Sequence, residues 1–483
     1  MENKPVSGRK GPNRRAFLSA SAATAVAAPL ATIAATSTPA SAATGAKSMP
    51  AAKIDPDLRA ALRGISTSRI KDIITTLAGF GTRHTLSSQT DPVRGIGAAT
   101  AYVTGLMNDI AATSGGRMTV QQQTFTQPAG SGGIPNDVQV TNIIATLKGT
   151  ASPERFYVVT GHLDSRCTNV LDGVSDAPGA DDDGSGVAVV LEMARLFATR
   201  QFPGTLVFGV VSGEEQGLFG STFMAAQMKA AGNDVQGMVS NDIVGASHSF
   251  DGHAPDPHTL RMFLEGVPTN VTANGISLLQ TTGGENDSQS RQLGRFAVDA
   301  APKSLTDMNI RVIWRRDRFL RASDHVSFQG QGYPAARFTE QRENFNHEHQ
   351  NVRVEGGVQF GDLVEFVDFD YTARVAKVNS AVYWTLATNP GTPKNVQIHT
   401  TPPPGLPGTN LSSFSWNANP ESNITGYEIV MRETTAEDWT DTISVGNVTS
   451  VTLDISKDNV QFGLRAVDTA GNRSPVAFPT PVA

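Results

Sequence analysis

From Phe156 to Val244 the chain repeats one alternation: a short apolar run, a polar turn, then an amphipathic stretch. Phe156–Thr160, Thr205–Val211 and Gly237–Val244 have the length and apolarity of buried strands. Between them, Gly186–Ala198 and Phe219–Ala231 read as helices. In the first, Val187, Val190, Leu191 and Ala194 follow the i, i+3, i+4, i+7 spacing of one buried face. Such alternation predicts an α/β fold with a mostly parallel central sheet flanked by helices. In sheets of this kind ligands sit beyond the carboxyl ends of the strands. His162, Glu214, Glu215 and Asp242 each fall at or just after such an end.

The flanking regions extend this plan. Residues 55–81 and Gly95–Ala112 read as helical, and Thr119–Phe125 and Val138–Leu147 as strands, separated by a Gly-rich turn at Gly130–Pro135. The pattern changes at Asn389-Pro390-Gly391-Thr392-Pro393. Beyond it, short strands separated by Pro, Gly, Asn and Ser clusters predict an all-β C-terminal sandwich over 393–483, behind an α/β domain over 55–388.

Residues 1–42 read as an export signal. Asn13-Arg14-Arg15-Ala16-Phe17-Leu18 is a twin-arginine motif, followed by an Ala-rich apolar run and the small-residue cleavage site Ala40-Ser41-Ala42. The expected destination is the periplasm or the exterior. No other apolar run approaches the roughly 18 residues of a membrane span. The net charge of −6, with no basic stripe, argues against a nucleic-acid partner. Cys167 is the only cysteine, so an exported chain has no internal disulfide to rely on. It reads as an inert packed thiol, with a site role as the alternative.

Five segments carry the donors that zinc uses, His nitrogen and carboxylate oxygen. Each has an ordinary reading when taken alone. Gly161-His162-Leu163-Asp164 is either a surface His-x-Asp or an imidazole whose second nitrogen Asp164 holds. Asp181-Asp182-Asp183-Gly184-Ser185-Gly186 is either a solvated turn favouring a helix N-terminus or a cation site. Its acids lack the alternate spacing of an EF-hand. Glu214-Glu215 follows a strand, so the neighbouring side chains diverge; one can ligate while the other faces the water. Asn241-Asp242 ends a strand, and Ser323-Asp324-His325 follows a basic run from Trp314 to Arg321. The coincidence of all five favours a two-metal hydrolase, because a bridging carboxylate is what holds two cations together. His347 and His349, in Asn346-His347-Glu348-His349-Gln350, and Glu340 are candidates for the site rim or for structural roles. Arg315, Arg316, Arg318 and Arg321 are either a solvated loop or a source of one guanidinium for a substrate carboxylate.

Taken in this order, these motifs make the region 55–388 resemble the secreted bacterial dinuclear zinc aminopeptidases. The wider relationship includes plasma glutamate carboxypeptidase and glutaminyl cyclase. The resemblance implies two Zn2+ per chain and hydrolysis of the N-terminal peptide bond of a peptide substrate. Residue by residue, it implies that His162 and Asp242 hold one zinc and that Glu215 and His325 hold the other. Asp182 would bridge, Glu214 would be the general base, and Asp164 would orient His162. It also implies a cis peptide after the bridging aspartate. A carboxypeptidase, a glutaminyl cyclase or amidohydrolase, and a non-catalytic peptide-binding protein are the alternatives on the same fold. The family's tyrosine near the last histidine is not evident, since Asp324 precedes His325.

The C-terminal region resembles a fibronectin type III domain, on Pro393-Lys394-Asn395-Val396, Trp416, Gly426-Tyr427-Glu428-Ile429 and the run Phe462–Asp468. The resemblance implies a spacer or adhesion role toward a surface polymer or another protein. Trp439 is expected to pack at the surface, with sugar binding as the alternative.

Overall fold

A computed structural model describes residues 47–50, 54–248, 252–401 and 411–482. The export signal expected over 1–42 lies outside them. The first expected helix is two, α1 (Pro56–Leu62) and α2 (Thr67–Gly79). Ser66 breaks the run by capping α2, its hydroxyl accepting from the Arg69 amide. Helix α3 spans Ile96–Ala112.

The strands β1 (Met118–Gln127), β2 (Val138–Leu147), β3 (Ser152–His162), β4 (Gly204–Val211), β5 (Asp234–Asn241), β6 (Thr259–Leu264), β7 (Asn309–Ile313) and β8 (Ala335–Glu340) form one sheet. Its order is β1-β2-β4-β3-β5-β8-β6-β7. The centre, β4-β3-β5-β8, is parallel throughout. Of the flanking pairs, β1/β2, β2/β4 and β8/β6 are antiparallel, and the edge pair β6/β7 is again parallel. The alternation that predicts parallel pairing ends at β5, and the antiparallel flanks come from chain on either side of it. Helices α4 (Gly184–Ala198), α5 (Phe219–Ala230), α6 (Gln289–Ala300) and α7 (Phe369–Thr388) complete the larger ones. Helix α4 is buried almost along its length, against β3, α2 and α7, which explains its apolar run.

The C-terminal strands β9 (Lys394–His399), β10 (Ser412–Asn417), β11 (Ile424–Glu433), β12 (Asp441–Gly446), β13 (Ser450–Leu453), β14 (Val460–Asp468) and β15 (Thr480–Val482) make a four-stranded and a three-stranded sheet. The pair Lys47–Ser48 lies against β12 and brings the three-stranded sheet to four. Trp416, Tyr427, Phe414 and Phe462 fill the space between the sheets. The described residues form one compact unit. The sandwich is fastened to α6 by buried charge: Asp287 accepts from Arg295 (3.1 Å) and from Arg432 of β11 (2.5 Å). Trp439 is buried in this contact, not lying at the surface, and its indole donates to Gln292 (2.9 Å). Among the described residues no helix is long and apolar enough to cross a membrane.

Candidate metal centre

The parallel centre of the sheet brings the ends of β3, β4 and β5 to one edge. The start of α4 faces them. Asp183 joins the two: one carboxylate oxygen caps the helix at the Gly186 amide (2.9 Å), and the other accepts from the His162 amide (2.8 Å). Strand and helix approach so closely that a Cβ on Gly161 would lie 2.6 Å from the Gly186 carbonyl carbon. The Asp182–Asp183 peptide bond is cis. The Asp362 carboxylate accepts from the amides of Asp181 (2.8 Å) and Asp182 (2.7 Å), which fixes the acidic turn from its other side.

Two groups of metal-type donors result, and they share a residue. His162, Asp182 and Asp242 form one; Asp182, Glu215 and His349 form the other. Asp182 gives one oxygen to each: Oδ1 lies 3.1 Å from His162 Nε2, and Oδ2 lies 2.8 Å from His349 Nε2. His162 Nε2 is 3.9 Å from Asp242 Oδ1, and His349 Nε2 is 3.1 Å from Glu215 Oε2. A divalent cation fits this donor set of imidazoles and carboxylates. The orphaned atoms agree: His162 Nε2 and Glu215 Oε1 are buried yet make no hydrogen bond. His162 Nε2 stands close to the Asp182 carboxylate without the alignment of a hydrogen bond, as two ligands facing a common third atom do.

Surrounding groups hold the donors in place. His162 Nδ1 meets the backbone carbonyl of Asp164 (2.9 Å). The carboxylate of Asp164, expected to do this, instead accepts from the amides of Glu214 (3.2 Å) and Glu215 (3.1 Å). Asp164 thus orients the histidine through its main chain and the Glu-Glu turn through its side chain. Arg337, wholly buried, donates to Asp242 Oδ1 (2.9 Å). Arg166 donates to Glu215 Oε2 (2.9 Å) and lies 2.6 Å from His349 Nδ1.

The expectation for His325 is corrected. It is in neither group. It begins a short helix, His325–Gly330, with Nε2 2.8 Å from the Arg316 carbonyl and 3.8 Å from Asp317. Full burial depresses its pKa. The second histidine of the site is His349, in a left-handed backbone conformation (φ 54°) in the segment after β8. Its signal in the sequence is the His-Glu-His triplet, whose first histidine is diverted: the His347 ring stacks on Phe366, centroids 3.5 Å apart. Glu340 lies at the end of β8 and accepts from the Ala246 amide (2.8 Å). Cys167 is buried, outside both groups, and burial pushes its thiol up.

Glu214 belongs to neither group but lines the same cavity of about 360 Å³ as Asp182, Glu215, Asp242 and His349. Burial raises its pKa well above the ordinary carboxyl value, and Asp242, Glu215 and Asp324 add to the rise against the opposing pull of His162. Burial would depress His162, but Asp183, Asp182, Asp242 and Glu214 outweigh it and hold its pKa well above normal. Burial likewise disfavours ionised Asp182, yet His349 and His162 keep its pKa well below normal. A buried cluster this acidic is stable only against positive charge, which a metal ion supplies.

A family model described as "Peptidase family M28" matches residues 142–353. A "Probable zinc metalloprotease" of Leptosphaeria maculans is 46% identical over 427 residues, covering 88% of this chain and 97% of that relative. Another, of Pyricularia oryzae, is 47% identical over 433 residues, covering 88% and 85%. Among solved structures, the LapA aminopeptidase of Legionella pneumophila aligns with a TM-score of 0.49 at 18% identity, over 71% of this chain and 78% of that one.

Proposed function

This chain belongs to peptidase family M28, with zinc metalloproteases as its relatives, and from that premise we propose that it is a dinuclear zinc exopeptidase, exported by the twin-arginine route, that releases the N-terminal residue of peptides. The observation that carries the two-ion assignment is Asp182, which offers one oxygen to each histidine. His162 and Asp242 would hold one ion, Glu215 and His349 the other, with Asp182 shared. Zinc, when bound, supplies Lewis acidity toward water and toward the scissile carbonyl.

The chain's own groups do the rest. Glu214 lines the cavity without being spent on a metal group, the position of a residue that takes the proton of the attacking water. The same carboxyl then delivers that proton to the leaving amine. Asp164, by fixing the Glu214 and Glu215 amides, keeps the base and its neighbouring ligand pointing apart. Aminopeptidase action is supported by the sequence resemblance, and export by Arg14-Arg15 and Ala40-Ser41-Ala42.

Glu214→Gln tests this directly. The variant should keep about two zinc ions per chain by elemental analysis while turnover of an aminoacyl anilide falls about 10²–10⁴-fold. Retained turnover removes Glu214 from the mechanism. A wild-type content near one zinc removes the dinuclear assignment.

A further inference from the structure

The metal-side wall of the cavity is acidic, but Arg318 and Arg321 line the same cavity. The turn between them is closed by the Arg321 amide donating to the Arg318 carbonyl (3.1 Å), which leaves Phe319 and Leu320 exposed at its tip. The two arginines differ in what their donors do. Arg318 is spent: Nε meets Asp317 (3.2 Å), Nη1 meets Glu343 (3.0 Å), and Nη2 donates to the Ala322 carbonyl (3.4 Å). Among the described residues Arg321 makes a single hydrogen bond from its side chain, from Nη1 to Glu343 (3.0 Å). That carboxylate is shared three ways, since Arg261 donates to it as well (2.7 Å). The other carboxylate near Arg321, Glu348, is 3.8 Å from Nη2, beyond hydrogen-bonding range. The Arg321 side chain is 33% exposed.

A guanidinium whose Nε and Nη2 make no hydrogen bond among the described residues, with Nη2 only loosely paired to Glu348, presents two parallel donors, the geometry that takes a carboxylate in bidentate fashion. Arg318 and Glu343 fix its position, so little rotamer entropy is lost when a ligand binds. We propose that Arg321 binds a free carboxylate of the substrate, so that the cavity selects peptides carrying a carboxylate beside the scissile bond. This rests on the peptidase assignment above. Two sources share that chemistry: the side chain of an acidic residue and the terminal carboxylate of a short peptide.

The zinc-loaded full chain, as wild type, Arg321→Gln and Arg321→Lys, is assayed on two matched pairs. One pair is a dipeptide and its C-terminal amide; the other is a glutamyl and a glutaminyl anilide. Wild type should favour the carboxylate member of one pair by about tenfold or more in kcat/KM, the worth of one charge-assisted bond, and that pair identifies the source. Arg321→Gln should lose the preference chiefly through KM, and Arg321→Lys should regain part of it. A wild type indifferent to the carboxylate in both pairs overturns the proposal, as does a preference that survives Arg321→Gln. If wild type cleaves none of the four, the exopeptidase assignment fails and the site is read by calorimetry with N-acetylglutamate and N-acetylglutamine. Tighter binding of the acid to wild type, lost in Arg321→Gln, then upholds the carboxylate site; equal binding overturns it.

Discussion

His325 and His349 show how little a histidine's neighbours in sequence decide its use. Ser323-Asp324-His325 sits among polar residues after a basic run, yet the His325 Nε2 meets the Arg316 carbonyl and its ring joins neither donor group. His349 follows a histidine of the same appearance, yet it alone of the pair reaches Asp182 and Glu215. The two variants should separate cleanly. His349→Ala should bind about one zinc fewer per chain, because one group loses its only imidazole. His325→Ala should keep its zinc and lose about 1–3 kcal/mol of stability, the cost of opening a buried hydrogen-bonded site. Elemental analysis and thermal unfolding of both variants check this; zinc lost from His325→Ala and kept by His349→Ala would reverse the assignment.

The decisive elements are the end of β3 and the first turn of α4. Asp183 serves both, as helix cap and as acceptor for the His162 amide. The contact is tight enough that Gly161 has no room for a side chain: its Cβ would meet Gly186 and the Val187 amide within 2.7 Å. These are backbone atoms, which cannot swing aside. Gly161→Ala should therefore cost about 1–3 kcal/mol by overpacking and weaken zinc binding, because His162 is the next residue. Thermal unfolding with and without chelator measures both effects, and an unchanged midpoint in each condition would mean that strand and helix are less closely coupled than the geometry implies.

At the scale of the whole molecule, the C-terminal sandwich is a bonded part of one unit. Asp287 neutralises Arg295 from α6 and Arg432 from the sandwich, with no exposed side-chain surface of its own. Arg295 also stacks over Trp314, just ahead of the loop that bears Arg318 and Arg321. Asp287→Asn leaves two buried guanidiniums without their counter-charge and should cost about 3–5 kcal/mol, read by denaturant unfolding. A loss within a few tenths of a kcal/mol would make the sandwich a loosely held appendage instead.

The sequence by itself determined the strands and helices from Phe156 to Val244, because each apolar run has the period and length of one element, and local periodicity is a property of neighbours in the chain. It also placed His162, Glu214, Glu215 and Asp242 at the edge where a parallel sheet gathers its ligands, since strand ends are read from the same runs. Which histidine closes the second group was beyond it. His349 arrives on an irregular segment after β8, and the competing His325 is folded against a carbonyl nine residues earlier, outside both donor groups. The antiparallel flanks of the sheet, the carbonyl in place of the carboxylate at His162 and the burial of Trp439 against α6 were likewise settled by tertiary packing. Each depends on which distant backbone or side chain reaches the spot first, and no spacing along the chain encodes that.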